Sequence, residues 1–221
     1  MRSYARARWS GPKKFRNEFD PAVLRFDSLV MRRFQNAAPG SREFKMRLVE
    51  LVAAAIHQIA VILFQELKWV DMGHRNPVLF EYRDPHPTLF YHCKYMDHQQ
   101  YPHGLADVAG YWAEDRILGG IVVFDRGKSG TECNDIYLHS AREQYTPHIW
   151  RLLDSQFDDF TEFLLSEQPS ATPLPILPSE ENEPRYDSWD AMTLHHIFRG
   201  PWERAIPSER PEDRDCVAVG D

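Results

Sequence analysis

The side chains that could be assembled into one catalytic site, and most of the strand signal, lie in one stretch of the chain, from Pro87 to Arg142. Within it, apolar and aromatic residues alternate with His, Asp, Glu, Lys and Arg. This pattern is typical of a sheet that packs a core with one face and turns the other towards a polar cavity or water. A site assembled from several proton-carrying side chains is therefore expected here.

Strand parity groups the chemically active residues of this stretch. His92 and Lys94 share one face of a predicted strand. Asp135, Tyr137 and His139 share one face of another. If the two faces coincide, the histidines line one pocket, where imidazole exchanges protons near neutral pH and a carboxylate fixes its tautomer. A register error of one residue would turn each group to the opposite face.

Asp107 and Tyr111, on a predicted hairpin between these strands, complete the candidate site. The residues predicted to be catalytic are His92, Asp107, Asp135 and His139. The residues predicted to bind substrate are Lys94, Tyr111 and Tyr137. The alternative is that this face is only the solvated side of an antiparallel sheet.

A second grouping could hold a metal ion. It comprises His92, Asp97, His98 and His103, which offer imidazole and carboxylate ligands suited to zinc or non-haem iron. Their spacing matches no recognised ligand motif, and three of the four lie on a predicted loop. Exposed loop histidines are the simpler interpretation, so no metal and no organic cofactor are predicted.

A nuclease pattern is incomplete in this chain. Asp84, Lys94 and a helical Glu50 could follow the arrangement in which an Asp and a Glu-x-Lys lie on adjacent strands. His92 stands where that pattern requires a metal-binding acid. The formal net charge of −7 also argues against a nucleic-acid partner, since such proteins need a basic surface.

Three other catalytic motifs are absent or fail. Gly127-Lys128-Ser129 resembles the end of a phosphate loop, but Val122 replaces the required glycine and a strand follows instead of a helix. A hairpin turn is predicted there. The sequence has no Gly-x-Ser-x-Gly elbow and no Gly-x-Gly-x-x-Gly fingerprint.

The composition is that of a soluble globular protein. The 221 residues are 43% hydrophobic and 27% charged, and the 13% aromatic content favours an aromatic-lined pocket.

Three widely spaced cysteines, Cys93, Cys133 and Cys216, indicate reduced thiols and a cytoplasmic location. The apolar run from Leu48 to Phe64 is shorter than the roughly 20 residues of a membrane span. It contains His57, interpreted as a core histidine, so a buried helix and no membrane partner are predicted.

Helix caps, apolar periodicity and turn residues predict the order of elements. Asp20-Pro21 and Ser41 begin two helices. The hairpin turns at Glu114-Asp115, and Gly119-Gly120 in its second strand indicates a bulge or the close approach of another backbone. The predicted elements are helices over 20–36, 41–67 and 148–166, strands over 78–82, 88–96 and 134–139, and a hairpin of 107–113 with 116–125.

This order predicts an α+β fold class. An antiparallel sheet of about four to five strands packs against a long central helix and two flanking helices. The predicted domain organisation is a basic N-terminal arm (1–19), a single α+β domain (20–166), a Pro-rich linker (167–187), and a short docking helix with a polar tail (188–221). The last segment could dock on its own domain, on a second copy in a homo-oligomer, or on another protein.

Three segments resemble small uncharacterised proteins of filamentous fungi, some of which are encoded beside genes of specialised metabolism. They are YWAEDRILGGIVVFDR (111–126), DIYLH (135–139) and HHIFRGPWER (195–204). The resemblance implies a cofactor-free enzyme acting on a hydrophobic small molecule, such as a cyclase, isomerase or dehydratase. The alternatives are a non-catalytic interaction protein that uses its N-terminal arm and C-terminal helix, and a metal-dependent hydrolase or nuclease.

Overall fold

The computed structural model describes residues 10–66, 88–142, 146–168 and 171–204, which form an α+β fold as predicted. Its helices are α1 (Ser10–Glu18), α2 (Ser28–Asn36), α3 (Arg42–Glu66), α4 (Leu105–Leu118), α5 (Asp154–Leu165) and α6 (Ser188–Thr193). Its strands are β1 (Ile121–Asp125), β2 (Ile136–His139), β3 (Ile149–Arg151), β4 (Arg185–Tyr186) and β5 (Ile197–Phe198).

The five strands form one antiparallel sheet in the order β4-β3-β2-β1-β5. Its centre is the β1–β2 hairpin, in which Ile121 is opposite His139 and Phe124 is opposite Ile136. The turn at Gly127-Lys128-Ser129 connects these strands, as predicted. Gly127 has a φ of 56°, a left-handed conformation that glycine adopts without strain.

Both faces of the sheet are buried, which corrects the expectation of one polar face. Val122 and Phe124 of β1 pack on one side against α3 and α5. Ile121 and Val123 pack on the other side against α4 and the segment that precedes it. The central strands are therefore apolar on both faces, and any site must lie in the layers around the sheet.

Helix α3 has the predicted bounds, and the Oγ of Ser41 accepts the N–H of Phe44 at 3.2 Å. By length and composition the helix could cross a membrane. Only 28% of its most apolar 18-residue window is buried among the described residues, so α3 is less enclosed by the protein than the sequence predicts. Its packing on α2, α4 and α5, and the buried ion pair of Arg47 with Glu50, are compatible with a soluble protein.

The predicted hairpin of 107–113 and 116–125 is wrong, because these residues form α4 and then β1. Helix α4 packs on α3 and on β1, so its apolar residues do not form the single stripe that identifies a surface helix. Gly119 ends the helix in a left-handed conformation, with φ 101°. The predicted close approach of another backbone is confirmed: a Cβ on Gly119 would lie 1.9 Å from the carbonyl oxygen of Ile176.

The strand predicted over 88–96 is absent from the described residues. Residues 88–96 form turns, and the N–H of Tyr95 donates to the carbonyl of His92 at 2.9 Å. This turn allows both side chains to enter the core, although a strand would place them on opposite faces. The predicted strand over 78–82 lies outside the described residues.

The bounds of two predicted helices are also wrong. The predicted helix over 20–36 is a 3-10 turn at Pro21–Val23 followed by α2, because Asp27 accepts the N–H groups of Leu29 and Val30. The predicted helix over 148–166 begins only at Asp154. Ile149 and Trp150 are buried on opposite faces of β3, and each packs in the core on its own side of the sheet, so these residues belong to a strand and not to the helix.

The C-terminal segment docks on the sheet of its own chain. Strand β4 pairs with β3 at one edge, and β5 pairs with β1 at the other. Within the predicted linker range, Ile176 is buried and its N–H donates to the carbonyl of Leu118 at 2.9 Å. This part of the range therefore belongs to the packed core and does not lie extended on the surface.

Candidate functional site

His92 and His139 come together as expected, but through the turn at 92–95 and not through a strand, and in a closed part of the core. Both side chains are fully buried, and their ring centroids are 5.2 Å apart. His92 Nε2 lies 3.1 Å from the carbonyl oxygen of His139, and His92 Nδ1 accepts the N–H of Lys94 at 3.2 Å. Burial lowers the pKa of His92 to about 4 and holds that of His139 well below its usual range. Burial thus favours the neutral form of both imidazoles.

The predicted substrate-binding tyrosines are also core residues. Tyr111 lies between two aromatic rings, with its own ring 4.7 Å from that of Tyr95 and 4.6 Å from that of His57. Burial raises its pKa well above the usual value, so the phenol stays neutral. Tyr137 packs on the same face of the sheet, with its ring 6.0 Å from that of Tyr186.

Asp135 is not part of this cluster. Its carboxylate pairs with Arg151 at 3.1 Å and with Arg42 at 3.4 Å, and its side chain is 27% exposed. Asp135 is four residues from His139, which corresponds to roughly 13 Å along an extended chain. It therefore fastens α3 to the sheet and does not assist the buried histidines.

Asp107 occupies a different and more reactive environment, in the first turn of α4. Its Oδ1 lies 3.0 Å from His57 Nε2 and 3.1 Å from His103 Nδ1, and its Oδ2 accepts the N–H of His103 at 2.7 Å. The side chain of Asp107 is 4% exposed, whereas that of His103 is 51% exposed. A buried carboxylate thus holds a histidine that reaches solvent.

The contacts continue inward from His57. Its Nδ1 lies 2.8 Å from Oε1 of Glu114, which is fully buried. Both terminal nitrogens of Arg199 donate to Glu114, one at 2.7 Å, and Arg199 Nη2 also donates to the carbonyl of Val122 at 2.8 Å. We call the resulting chain of five residues the relay: His103, Asp107, His57, Glu114 and Arg199.

The spacing within α4 explains how the relay is assembled. Asp107, Gly110 and Glu114 follow one another at intervals of three and four residues, so they share a helix face. A Cβ on Gly110 would lie 2.7 Å from His57 Cε1, so only glycine lets the imidazole fit between the two carboxylates. Had 105–118 been identified as a helix, this spacing would have pointed to Glu114.

Burial and neighbouring charges act in opposite directions on the pKa values of His57, Glu114 and Asp107. Burial would lower the pKa of His57, but its hydrogen bonds to Asp107 and Glu114 outweigh burial and raise it. Burial would raise the pKa of Glu114, but the Arg199 guanidinium outweighs burial and lowers it. Burial would also raise the pKa of Asp107, but the hydrogen bonds that it accepts from His57 and His103 outweigh burial and lower it. Two carboxylates therefore face two cations in the protein interior.

These shifts predict a distinctive histidine titration. We expect the midpoint for His57 to lie above 6.5 and those for His92 and His139 to lie below it, as measured by ¹⁵N NMR of the ring nitrogens. His→Gln variants would assign the signals. A His57 midpoint below 6.5 would contradict the charge distribution of the relay.

The same shifts act on stability in opposite directions. The His57 contribution is fully present below about pH 6.5 and is lost as the pH rises through its raised pKa. The contributions of His92 and His139 are present above about pH 6.5 and are lost as the pH falls. Urea unfolding of His57→Gln should therefore lack the alkaline part of the wild-type dependence.

The structure does not assemble the candidate metal-ligand grouping of His92, Asp97, His98 and His103 into a metal site. Among the described residues, no group of three or more His, Cys, Asp or Glu side chains is placed to hold a metal ion. His92 is enclosed in the core, and His103 is held by Asp107. Of the nuclease pattern, Asp84 lies outside the described residues, and Glu50 pairs with Arg47 and Arg126.

Fold and site together define an α+β protein with a charged relay that runs from its surface to its core. Comparison of the chain with protein-family models, with curated proteins and with solved structures finds no match.

Proposed function

We propose that this protein is a small-molecule enzyme without an organic cofactor, of the cyclase, isomerase or dehydratase type, that uses histidine–aspartate acid–base chemistry. The observation that carries the proposal is the half-exposed His103, whose Nδ1 lies 3.1 Å from the buried carboxylate of Asp107. The type of chemistry is the one predicted from sequence, and its location moves from His92 and His139 to His103.

The relay supports a definite division of roles. Asp107 accepts the Nδ1 proton of His103, so the lone pair resides on Nε2, which can take a proton from a bound molecule. The imidazolium that forms is stabilised by the adjacent carboxylate. His57, held by Glu114, in turn fixes Asp107 and favours its ionised form. Asp107, His57, Glu114 and Arg199 are thus positioning residues for His103.

An apolar cluster that begins two residues from His103 supports a hydrophobic substrate. Leu105 and Phe90 are partly exposed and pack on this cluster, and the Phe90 ring lies 4.8 Å from that of Trp112. The resemblance expected from residues 111–126, 135–139 and 195–204, to uncharacterised fungal proteins of which some are encoded beside genes of specialised metabolism, implies the same substrate class. A cytoplasmic location is proposed because Cys93 and Cys133 are both thiols.

Solvent deuterium exchange tests the proposal even when the identity of the product is unknown. An enzyme that removes and returns a carbon-bound proton introduces deuterium from D₂O, or yields a rearranged or dehydrated product, both visible by liquid chromatography with mass spectrometry. Native mass spectrometry of untagged protein would first identify retained molecules, and pooled hydrophobic compounds would extend the search. We expect His103→Gln to lower the rate about 10²- to 10⁴-fold.

The exposed His148 offers a matched control, since its ring lies 3.3 Å from a hydroxyl of Thr146 and the same substitution removes no relay contact. His148→Gln should keep the wild-type rate. Asp107→Asn should lower the rate and change its pH profile, because the amide can also donate to His103 and favour the wrong tautomer. Equal rates for wild type and His103→Gln, or no turnover in any pool, would refute the proposal.

A second candidate function is an interaction protein or homo-oligomer that uses the C-terminal segment. It is favoured by two large apolar side chains of that segment, Leu194 and Trp202, which are 61% and 47% exposed. Native mass spectrometry separates the two candidates. An oligomer without any retained small molecule would favour interaction, and a monomer with a retained molecule would favour the enzyme.

A further inference from the structure

A cleft of about 560 Å³ opens between α2, the start of α3 and the β1–β2 hairpin, away from the relay. Its volume is that of a typical small-molecule site. The side chains that matter here are Arg33, Arg42, Arg47, Glu43, Glu132 and Cys133. Three guanidinium groups in one cleft stand out in a chain with a net charge of −7.

The three arginines are not equally neutralised. Arg42 pairs with Asp154 at 2.9 Å and with Asp135 at 3.4 Å. Arg33 donates instead to the carbonyl and the hydroxyl of Thr131, which are neutral oxygens. In the part of the chain that the structure describes, no carboxylate lies within ion-pair distance of Arg33. Hydrogen bonds from Asn134 and Ser129 and the charge of Arg33 lower the pKa of Glu132 on the same cleft wall, so the Arg33 charge is only partly offset and can also attract an anionic ligand.

Arg47 supplies the second observation. Its side chain is only 5% exposed, and Nη1 contacts Glu50 at 2.7 Å. Glu50 also pairs with Arg126 at 2.6 Å, so one carboxylate is shared by two guanidinium groups and a positive charge is left over. The Nε of Arg47 is buried and has no hydrogen-bond partner among the described residues. A buried guanidinium N–H without an acceptor is unfavourable. Because Arg47 lines the cleft, a small shift of its side chain towards a bound anion would satisfy this N–H.

We propose that this cleft binds a small oxyanion, a phosphate- or carboxylate-bearing metabolite, through Arg33 and Arg47. A guanidinium group can donate two parallel hydrogen bonds to a pair of oxygens on either anion, the planar carboxylate or the tetrahedral phosphate. The site is separate from the relay: Arg47 and His57 are ten residues apart on α3, or about 15 Å along the helix axis.

The test is isothermal titration calorimetry of the full chain with inorganic phosphate, pyrophosphate and citrate, at constant ionic strength set with chloride. We expect saturable binding of at least one of these anions, and the comparison distinguishes phosphate from carboxylate ligands. Arg33→Gln should weaken that binding about tenfold, the usual effect of losing a charge-assisted hydrogen bond.

Two further variants keep the result interpretable. Arg32→Gln makes the same charge change at the exposed neighbouring position, outside the cleft, and should bind like the wild type. Glu43→Gln removes an acid from the cleft wall and should tighten binding about two- to fivefold, a gain that misfolding cannot produce.

The proposal fails if none of the anions binds. It also fails if Arg33→Gln weakens binding no more than Arg32→Gln does. A third contradicting result is that Glu43→Gln and Arg33→Gln both bind the anion with the wild-type affinity. Because the readout is binding alone, inactivity of His103→Gln has no bearing on the outcome.

Discussion

Replacement of Glu114 by Gln is expected to lower the free energy of unfolding by about 3–5 kcal/mol, the usual effect of removing one partner from a buried ion pair. Glu114 is fully buried and receives two hydrogen bonds from Arg199, whose side chain is 15% exposed. Gln preserves the shape but not the charge. Arg199 would then remain desolvated without its counter-ion, and His57 would lose one of its two carboxylates.

Urea unfolding followed by circular dichroism measures this effect. Glu162→Gln makes the same chemical change on the exposed face of α5 and should alter stability by less than about 0.5 kcal/mol. The His57 pKa should also fall in Glu114→Gln, a change that a general loss of packing does not produce. Equal stability of the two variants would show that the buried pair contributes little.

Replacement of Gly119 by Ala is expected to destabilise the protein by about 3–4 kcal/mol, through two separate causes. The first is the left-handed backbone at this residue, with φ 101°. The second is steric, since the new methyl group would lie 1.9 Å from the carbonyl oxygen of Ile176. That oxygen belongs to backbone packed against Leu118, so it cannot move without breaking the contact of the 171–176 segment with the core.

Gly40→Ala separates the two causes. Gly40 also has a left-handed conformation, with φ 78°, but no atom lies within 4 Å of the site of its Cβ. It should therefore show only the conformational cost, about 1 kcal/mol. Thermal or urea unfolding of both variants provides the comparison. If the two variants lost similar amounts of unfolding free energy, the Ile176 backbone would have moved away from the new methyl group at little cost.

The parts of the fold that sequence predicts correctly are those with strong local signals. Helix α3 combines a cap at Ser41 with a long apolar run, and the β1–β2 turn contains Gly127 where a left-handed residue is needed. Helix α4 escapes prediction because neighbours cover it on two sides, which removes the periodicity that a single core face imposes. Its end at Gly119 is visible as a glycine pair, but the same pair also fits a strand with a bulge.

The candidate site is only partly predictable for a related reason. Asp107 can be selected from the sequence because it is an acidic residue near candidate histidines. Its partner His57 is 50 residues away, however, and Glu114 and Arg199 are 85 residues apart. Such contacts are set by the packing of α3, α4 and the C-terminal segment, which no spacing in the sequence encodes. His92 and His139 are close, as predicted, but the strand from which this was inferred is absent, and no pattern in the sequence reveals that the turn at His92 encloses both rings in the core.

The dependence of Glu114 on Arg199 has a consequence for the order of folding during synthesis. The carboxylate emerges from the ribosome 85 residues before its guanidinium partner. Before Arg199 has emerged, packing α4 into the core would bury the Glu114 carboxylate with His57 as its only cationic partner. Because that burial is unfavourable, α3, α4 and β1 should remain loosely packed or open to water until then. Translation stalled before residue 199 should therefore leave a nascent chain that proteases cleave readily, and full protection should arrive late and in one step.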